Sequence, residues 1–155
     1  MKFKTEINGV IDFDEKDVII FKHGLPGFEN LNKFVLMELD EYSPFKILHS
    51  IEDKNVGMVT ISPFHVMSDY EIDLSNNVIE ELNIDNAEDV LVLSTVTLSN
   101  QVSKFTTNLR APIIVNLKNN LGYQIILDEE KYSIKHSLNK EWYYASSKKK
   151  TRWRH

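Results

Sequence analysis

The sequence predicts a mainly β protein, a small closed or nearly closed antiparallel β-barrel with one short helix. Three observations carry that expectation. Val, Ile and Thr together number 34 against three Ala, a bias toward the half-buried pleated surfaces of strands and away from helices. Apolar runs, about nine of them, recur at regular spacing between Gly, Pro, Asn and Asp clusters, as in barrels. The 155 residues are the length of one domain with a substantial core.

The elements follow in order. Phe3, Thr5 and Ile7 alternate with Lys2, Lys4 and Glu6; Asn8-Gly9 then suits the two positive-φ positions of a type I′ turn before Val10, Ile11 and Phe13. Val18 to Phe21 is a short apolar run ending at His23-Gly24-Leu25-Pro26-Gly27-Phe28. There Gly24, Pro26 and Gly27, with Phe28 beside them, predict a structural turn that no regular element tolerates. Phe34 to Leu39 is the next strand, broken by Tyr42-Ser43-Pro44. Phe45 to Ile51 and Val56 to Ile61 follow, joined by Asp53-Lys54-Asn55, and read as successive antiparallel strands.

Residues 75 to 82 predict the helix, with Ser75 as N-cap and Val78, Ile79 and Leu82 on one face. Val90 to Leu98 is the strongest strand. Phe105 to Leu109, Ile113 to Leu117 and Tyr123 to Leu127 complete the set, with a turn at Asn119-Asn120-Leu121-Gly122. Barrels of about eight strands are narrow enough to be filled by side chains. Val59, Val92 and Ile114 are accordingly expected to point inward, leaving no room for a carried ligand.

The formal net charge of −5 averages two unlike parts. Lys148 to His155 holds five of the 18 Lys and Arg side chains and no acid, so residues 1–147 carry 13 basic and 23 acidic residues, a balance of −10. Such a body repels nucleic-acid phosphates and suits a basic partner. The organisation expected is a barrel over residues 1–137 and a basic aromatic tail over 138–155. The N-terminus has no basic segment leading into an apolar run, and no stretch approaches the about 18 uninterrupted apolar residues of a membrane span. A cytoplasmic protein, with no membrane partner, is the expectation.

Catalytic patterns are missing. No cysteine is present, which removes thiolate chemistry, disulfides and Cys-based metal sites. His23, His49, His65, His136 and His155 form no i, i+4 pair, so no metal site is expected. The carboxylates Asp12, Asp14, Glu15 and Asp17 flank a turn, and Asp85, Glu88 and Asp89 flank a helix end; both groups read as solvated faces. There is no Gly-x-Ser-x-Gly elbow, and Ser50 and Ser137 are adjacent to His49 and His136, on opposite faces of a strand. The Gly24-to-Gly27 loop lacks a P-loop ending. No enzyme and no cofactor are expected.

Two features remain. Aromatic rings sit beside turn residues at Phe28, Phe45, Phe64 and Tyr70. They either close the barrel ends or anchor a partner, since binding energy concentrates in aromatics ringed by polar groups. Phe45, near Glu41, and Tyr70, between Asp69 and Glu71, are the candidate anchors. The second feature is the tail, where Trp142, Tyr143, Tyr144 and Trp153 interleave with Lys and Arg. Stacking with cationic attraction holds single-stranded nucleic acid, so an RNA-binding protein acting through this tail is the alternative function. A solubilising end, a docking arm on the acidic body and a cloning product are further readings.

The turn motifs form one ordered set. They are His-Gly-Leu-Pro-Gly-Phe-Glu at 23–29, Ser-Pro-Phe at 43–45 and again at 62–64, Asp-Tyr-Glu at 69–71, and Asp-Val-Leu-Val-Leu-Ser-Thr-Val-Thr at 89–97. Asn-Leu-Arg-Ala-Pro-Ile-Ile-Val-Asn at 108–116 and Tyr-Ser-Ile-Lys-His at 132–136 complete it. As an ordered set these motifs resemble the FliW family of bacterial flagellar assembly factors; the resemblance covers residues 1 to about 137 and implies a non-enzymatic partner switch on a small β-barrel. Its implied partners are cytoplasmic flagellin and the translational repressor CsrA, which blocks flagellin mRNA. Export of flagellin would free the protein to capture CsrA, by a noncompetitive or allosteric action, and restore translation. The family chain ends soon after Tyr132–His136, so the resemblance assigns the tail no role.

Overall fold

The computed structural model describes residues 1–39, 43–128 and 131–138. Eleven strands and two short α-helices lie among the described residues. Strands β1 (Lys2–Lys4) and β2 (Val10–Asp12) form a separate two-stranded antiparallel sheet with Phe3 opposite Ile11. The expected type I′ turn is not the connection. Of Asn8 and Gly9 only Gly9 takes a positive φ, +72°. Thr5 closes a longer loop instead, its amide and hydroxyl both donating to the Gly9 carbonyl (2.8 and 2.6 Å) and its Oγ1 accepting from the Asn8 amide at 2.9 Å. A side chain that supplies the turn's hydrogen bonds removes the need for two left-handed residues.

The barrel is a closed ring of seven strands. These are β3 (Ile19–Ile20), β4 (Lys33–Glu38), β5 (Lys46–Ser50), β6 (Gly57–Ile61), β7 (Val90–Thr97), β9 (Ile113–Asn116) and β10 (Leu121–Gln124). The order around the ring is β7-β6-β5-β4-β3-β10-β9, with β9 returning to β7. Every pairing is antiparallel except β3 with β10, where Ile20 meets Leu121 in parallel. The closed antiparallel barrel expected from sequence is thus present, with one parallel pair that follows from number, because strand direction cannot alternate all the way around a ring of odd count. Strands β8 (Thr106–Thr107) and β11 (His136–Ser137) extend the sheet from the C-terminal end of β7.

Inside the ring, Phe21, Phe34, Leu48, Leu91, Leu93 and Ile113 form a packed core. Fully burying each such side chain contributes about 1.5–3 kcal/mol. Gly122 stands in mid-strand because a Cβ there would lie 2.5 Å from the Phe21 ring. The turn expected at 119–122 therefore lies two residues earlier, at 117–120, with Asn120 taking φ +56°.

A second cluster lies outside the ring, where Val90, Val92 and Ile114 meet Tyr70, Leu82 and Tyr132. This corrects the inward placement of Val92 and Ile114: alternation sends Leu91, Leu93, Ile113 and Val115 inward and their neighbours out. Strands β7 and β9 are covered on both faces, so the apolar run did not reveal which face was which. Val59 also faces away from the interior, joining a third cluster with Ile61, Val96 and Leu138.

The covering layer holds α1 (Pro63–Val66) and α2 (Asn76–Glu81). Helix α2 starts as expected, Ser75 Oγ accepting from the Val78 amide at 3.3 Å. Helix α1 replaces an expected turn, with Pro63 at the first helical position where its missing N–H costs nothing. Buried Asn116 anchors the end of α2 to the ring, its Nδ2 donating to the Leu82 and Asn83 carbonyls at 2.8 and 3.1 Å. Leu138 is 1% exposed, so the packed unit runs through it, one residue past the expected boundary. Among the described residues no helix is long and apolar enough to cross a membrane.

Candidate functional site: an apolar barrel mouth beside an acidic groove

One end of the ring is closed by the loop at 23–28. Gly24 (φ +66°) and Gly27 (φ +87°) both need the left-handed region. Between them Leu25 turns into the core as a plug, pinned by the Phe28 amide donating to its carbonyl at 2.7 Å. Pro26 and Phe28 stay at the surface. His23 reaches Glu81 on α2 at 2.7 Å, an exposed contact of small energetic weight.

Beside that plug the ring opens into a mouth. Strands β6 and β7 pair only through Thr60 with Thr95 and Ile61 with Ser94; beyond those pairs they diverge. The segment 108–112 bulges between β8 and β9, held by Asn108 Oδ1 accepting from the Arg110 and Ala111 amides at 3.0 and 3.1 Å. The resulting groove, of about 750 Å³, is lined by Pro26, Met58, Val96, Leu98, Arg110, Ile126 and Ile134. Ile126 is 70% exposed, Leu98 54% and Ile134 53%. The chain after β10 stays beside the bulge, Ile125 donating to the Pro112 carbonyl and Leu127 to that of Arg110. Period-two alternation then buries Ile125 and Leu127 in the second cluster and leaves Ile126 on the rim.

A second groove of about 790 Å³ adjoins the mouth and shares Gln124 and Ile126 with it. Its lining includes Glu71, Asp73 and Asp128 together with Lys131. A tyrosine clasp sets that lining. Tyr70 donates from its hydroxyl to the Leu109 carbonyl at 2.7 Å, and the Tyr132 hydroxyl accepts from the Glu71 amide at 2.8 Å. The two rings lie 4.5 Å apart. Burial, and then the neighbouring Tyr132, push the Tyr70 phenol well above its ordinary value. Arg110 completes the frame by donating from Nε to the Tyr132 carbonyl at 2.9 Å.

The residues singled out in the sequence fall into different places. Tyr70 is 3% exposed and packs edge-on to Phe64; it positions its neighbours, while Asp69 and Glu71 on either side are exposed. Phe45 is half-buried against the third cluster, with the Phe105 ring 6.4 Å away. Helix α1 links the two regions, Val66 packing like Phe45 against the third cluster and Phe64 packing with Tyr70. Glu41, and the tail from residue 139 on, lie outside the described residues. Among the described residues no group of three or more His, Asp or Glu could hold a metal ion. Sequence reasoning missed the mouth. The motifs at 108–116 and 132–136 hold Arg110 and Ile134, but nothing local shows that they converge with Leu98 and Ile126.

The FliW family model matches residues 2–138. The chain belongs to the FliW family. Flagellar assembly factor FliW of Clostridium beijerinckii is 51% identical over 138 residues, covering 89% of this chain and 98% of that protein. The FliW of Clostridium novyi is 50% identical over 141 residues, covering 91% and 99%. A crystal structure of the flagellar assembly factor FliW superposes with a TM-score of 0.85 at 39% identity, covering 90% of this chain and 97% of that one. The mainly β closed barrel is thus the FliW fold. The residues after 138 lie beyond the FliW match.

Proposed function

We propose that this chain is a cytoplasmic binding protein, without catalytic activity, that holds flagellin and antagonises the repressor CsrA. Capture of CsrA relieves repression of flagellin mRNA and couples flagellin synthesis to export. The observation that carries this reading is the acidic groove of Glu71, Asp73 and Asp128 on a body of net charge −10. A repressor that grips RNA phosphates must present cationic groups, and opposite charge raises the rate of encounter with it. Bound next to an RNA surface, the same acids repel the phosphate backbone, so antagonism does not require covering that surface. Phe45 and the exposed acids Asp69 and Glu71 are the proposed contact residues, with Glu41 as a further acid.

The test is co-elution of the purified full chain with CsrA at low salt, repeated with excess flagellin. Complex formation that flagellin displaces supports the reading, and failure to co-elute with either protein sinks it. Glu71→Lys with Asp128→Lys is expected to slow association with CsrA and flatten its salt dependence. Phe45→Ala is expected to weaken one partner by more than about 1 kcal/mol if its ring is an anchor.

A further inference from the structure

Strands β6 and β7 part while both are still strands. The ladder joins Thr60 to Thr95 and Ile61 to Ser94 and then stops. Continued in the same register it would set Val59 opposite Val96, Met58 opposite Thr97 and Gly57 opposite Leu98. At that point β6 is still paired to β5, Met58 with Leu48 and Gly57 with His49, and β7 is still paired to β8, Val96 with Thr107 and Thr97 with Thr106. Each strand is therefore held extended along its far edge and open along its near one. Alternation decides which backbone groups look into the gap. Val56 faces β5, its carbonyl accepting from the Ser50 amide at 2.9 Å, and Thr95 faces β8, its carbonyl accepting from the Asn108 amide at 3.0 Å. The N–H and C=O of Gly57, one residue on from Val56, and of Leu98, three residues on from Thr95, consequently point across the gap. Neither backbone group of Leu98 has a backbone partner among the described residues. An open edge of this kind is a template for a further strand.

We propose that the gap between β6 and β7 takes up an extended segment of a partner protein as an eighth strand, apolar at alternate residues and followed by Lys or Arg. Main-chain bonds to Gly57 and Leu98 hold the segment, and Met58, Leu98, Ile126 and Ile134 receive its alternate side chains. The mouth's volume of about 750 Å³ lies within the range of about 300–1,000 Å³ typical of binding sites. Charge selects the occupant and its direction. Among the described residues that line the mouth the one charged group is Arg110, whose Nε is committed to the Tyr132 carbonyl, so a cation is disfavoured in the mouth itself. Past Ile126, which both grooves share, the lining holds Glu71, Asp73 and Asp128 against one lysine, Lys131. An apolar strand that ends in basic residues satisfies both grooves in order. A helical segment would not, because its N–H groups are spent within the helix and leave Gly57 and Leu98 unpaired. This recognition is independent of which protein supplies the segment, and so of the partners proposed above.

The probe is the synthetic peptide acetyl-Thr-Val-Thr-Val-Thr-Val-Lys-Lys-amide, titrated into the isotope-labelled full chain and followed by NMR. The expected result is saturable shifts of the Gly57, Leu98 and Ile126 amides. The Leu98 amide, which should exchange rapidly with solvent in the free chain, should become protected by about tenfold or more. Methylating the three valine nitrogens of the peptide removes its donors along one edge and should weaken binding by about tenfold or more. Replacing Lys-Lys by Glu-Glu should weaken it at low salt and have little effect at high salt. Leu98→Glu with Ile126→Glu, both at exposed positions, should abolish the shifts with far-UV circular dichroism unchanged. No saturable binding up to about 5 mM, binding indifferent to N-methylation, or equal binding of an alanine-rich helical peptide ending in Lys-Lys overturns the proposal. A Leu98 amide already protected in the free chain also overturns it, because the edge is then covered by the chain itself or, where sedimentation mass doubles, by a second copy. None of these outcomes depends on co-elution with CsrA or flagellin, so the two readings fail separately.

Discussion

Replacing Tyr70 by Phe separates its two readings, core clasp and partner anchor. The substitution keeps the ring, and with it the contacts to Tyr132 and Phe64. It deletes one hydroxyl, which donates to the Leu109 carbonyl at 2.7 Å. Tyr70 and Leu109 are both buried, so water cannot replace the lost donor. A net hydrogen bond contributes about 1 kcal/mol, and an orphaned buried acceptor costs about 1–3 kcal/mol. The expected loss is therefore about 2 kcal/mol. With a urea m-value of about 2 kcal/mol/M, the midpoint should fall by about 1 M with m unchanged. The melting temperature should drop by about 4–8 °C for a chain of this size. CsrA affinity should not move, because Tyr70 offers almost no surface. A stability change within about 0.5 kcal/mol, the range of an ordinary surface substitution, would refute the clasp. Loss of affinity without loss of stability would return Tyr70 to the role of anchor. Tyr132→Phe should couple to Tyr70→Phe in a double-mutant cycle by about 0.5–3 kcal/mol.

Further outcomes follow from other parts of the fold. Gly24→Ala should cost about 4 kcal/mol or more, because its Cβ would lie 2.6 Å from both Glu29 Cα and the Phe28 oxygen. Gly27→Ala meets open space and should cost only the left-handed strain of about 1–2 kcal/mol; equal losses in urea melts would refute the close approach. Asn116→Ala removes its two bonds to the end of α2, leaving the Leu82 carbonyl only the Asn119 side-chain donor at 3.0 Å, and should cost about 1–3 kcal/mol, with faster hydrogen exchange in α2; unchanged exchange there would contradict the anchoring role. The raised Tyr70 pKa means that the fold prefers the neutral phenol. Its stabilisation is full below pH 10.0, the unfolded value, and is lost as pH rises above it toward the folded value. Urea midpoints should fall between pH 9 and 11, and less so in Tyr70→Phe; parallel curves would exclude this source. Lys46 acts in the opposite sense. Burial lowers its pKa from 10.5 against a smaller raising effect of Glu38, so its penalty is full at neutral pH and eases as pH climbs through the folded value.

Elements whose instructions are local were legible. Ser75 capped α2 where expected, because an N-cap is a contact across three residues. The loop at 23–28 was legible because two glycines and a proline leave few conformations open. Strands β4, β5, β6 and β7 lie within a residue or two of their expected bounds. The hairpin loop failed because Thr5, outside the Asn8-Gly9 pair, supplied the bonds. Gly122 read as a turn residue, yet its cause is the Phe21 ring a hundred positions away. Of the candidate site, the acids Asp69 and Glu71 were legible and the apolar mouth was not.

By itself the sequence determined a strand-rich chain, a rigid loop at Gly24 and Gly27, an acidic body before a basic segment, and the ordered motifs of a FliW protein. Each of these is written in composition or in residues within a few positions of one another. Tertiary structure alone decided that seven strands close with one parallel pair, that Val92 and Ile114 face outward, and that Tyr70 turns inward while Glu71 stays in water. The alternation of a strand says that neighbours take opposite faces but not which face is inside. That choice is made where distant strands meet, and the grooves beside the barrel mouth exist only because they do.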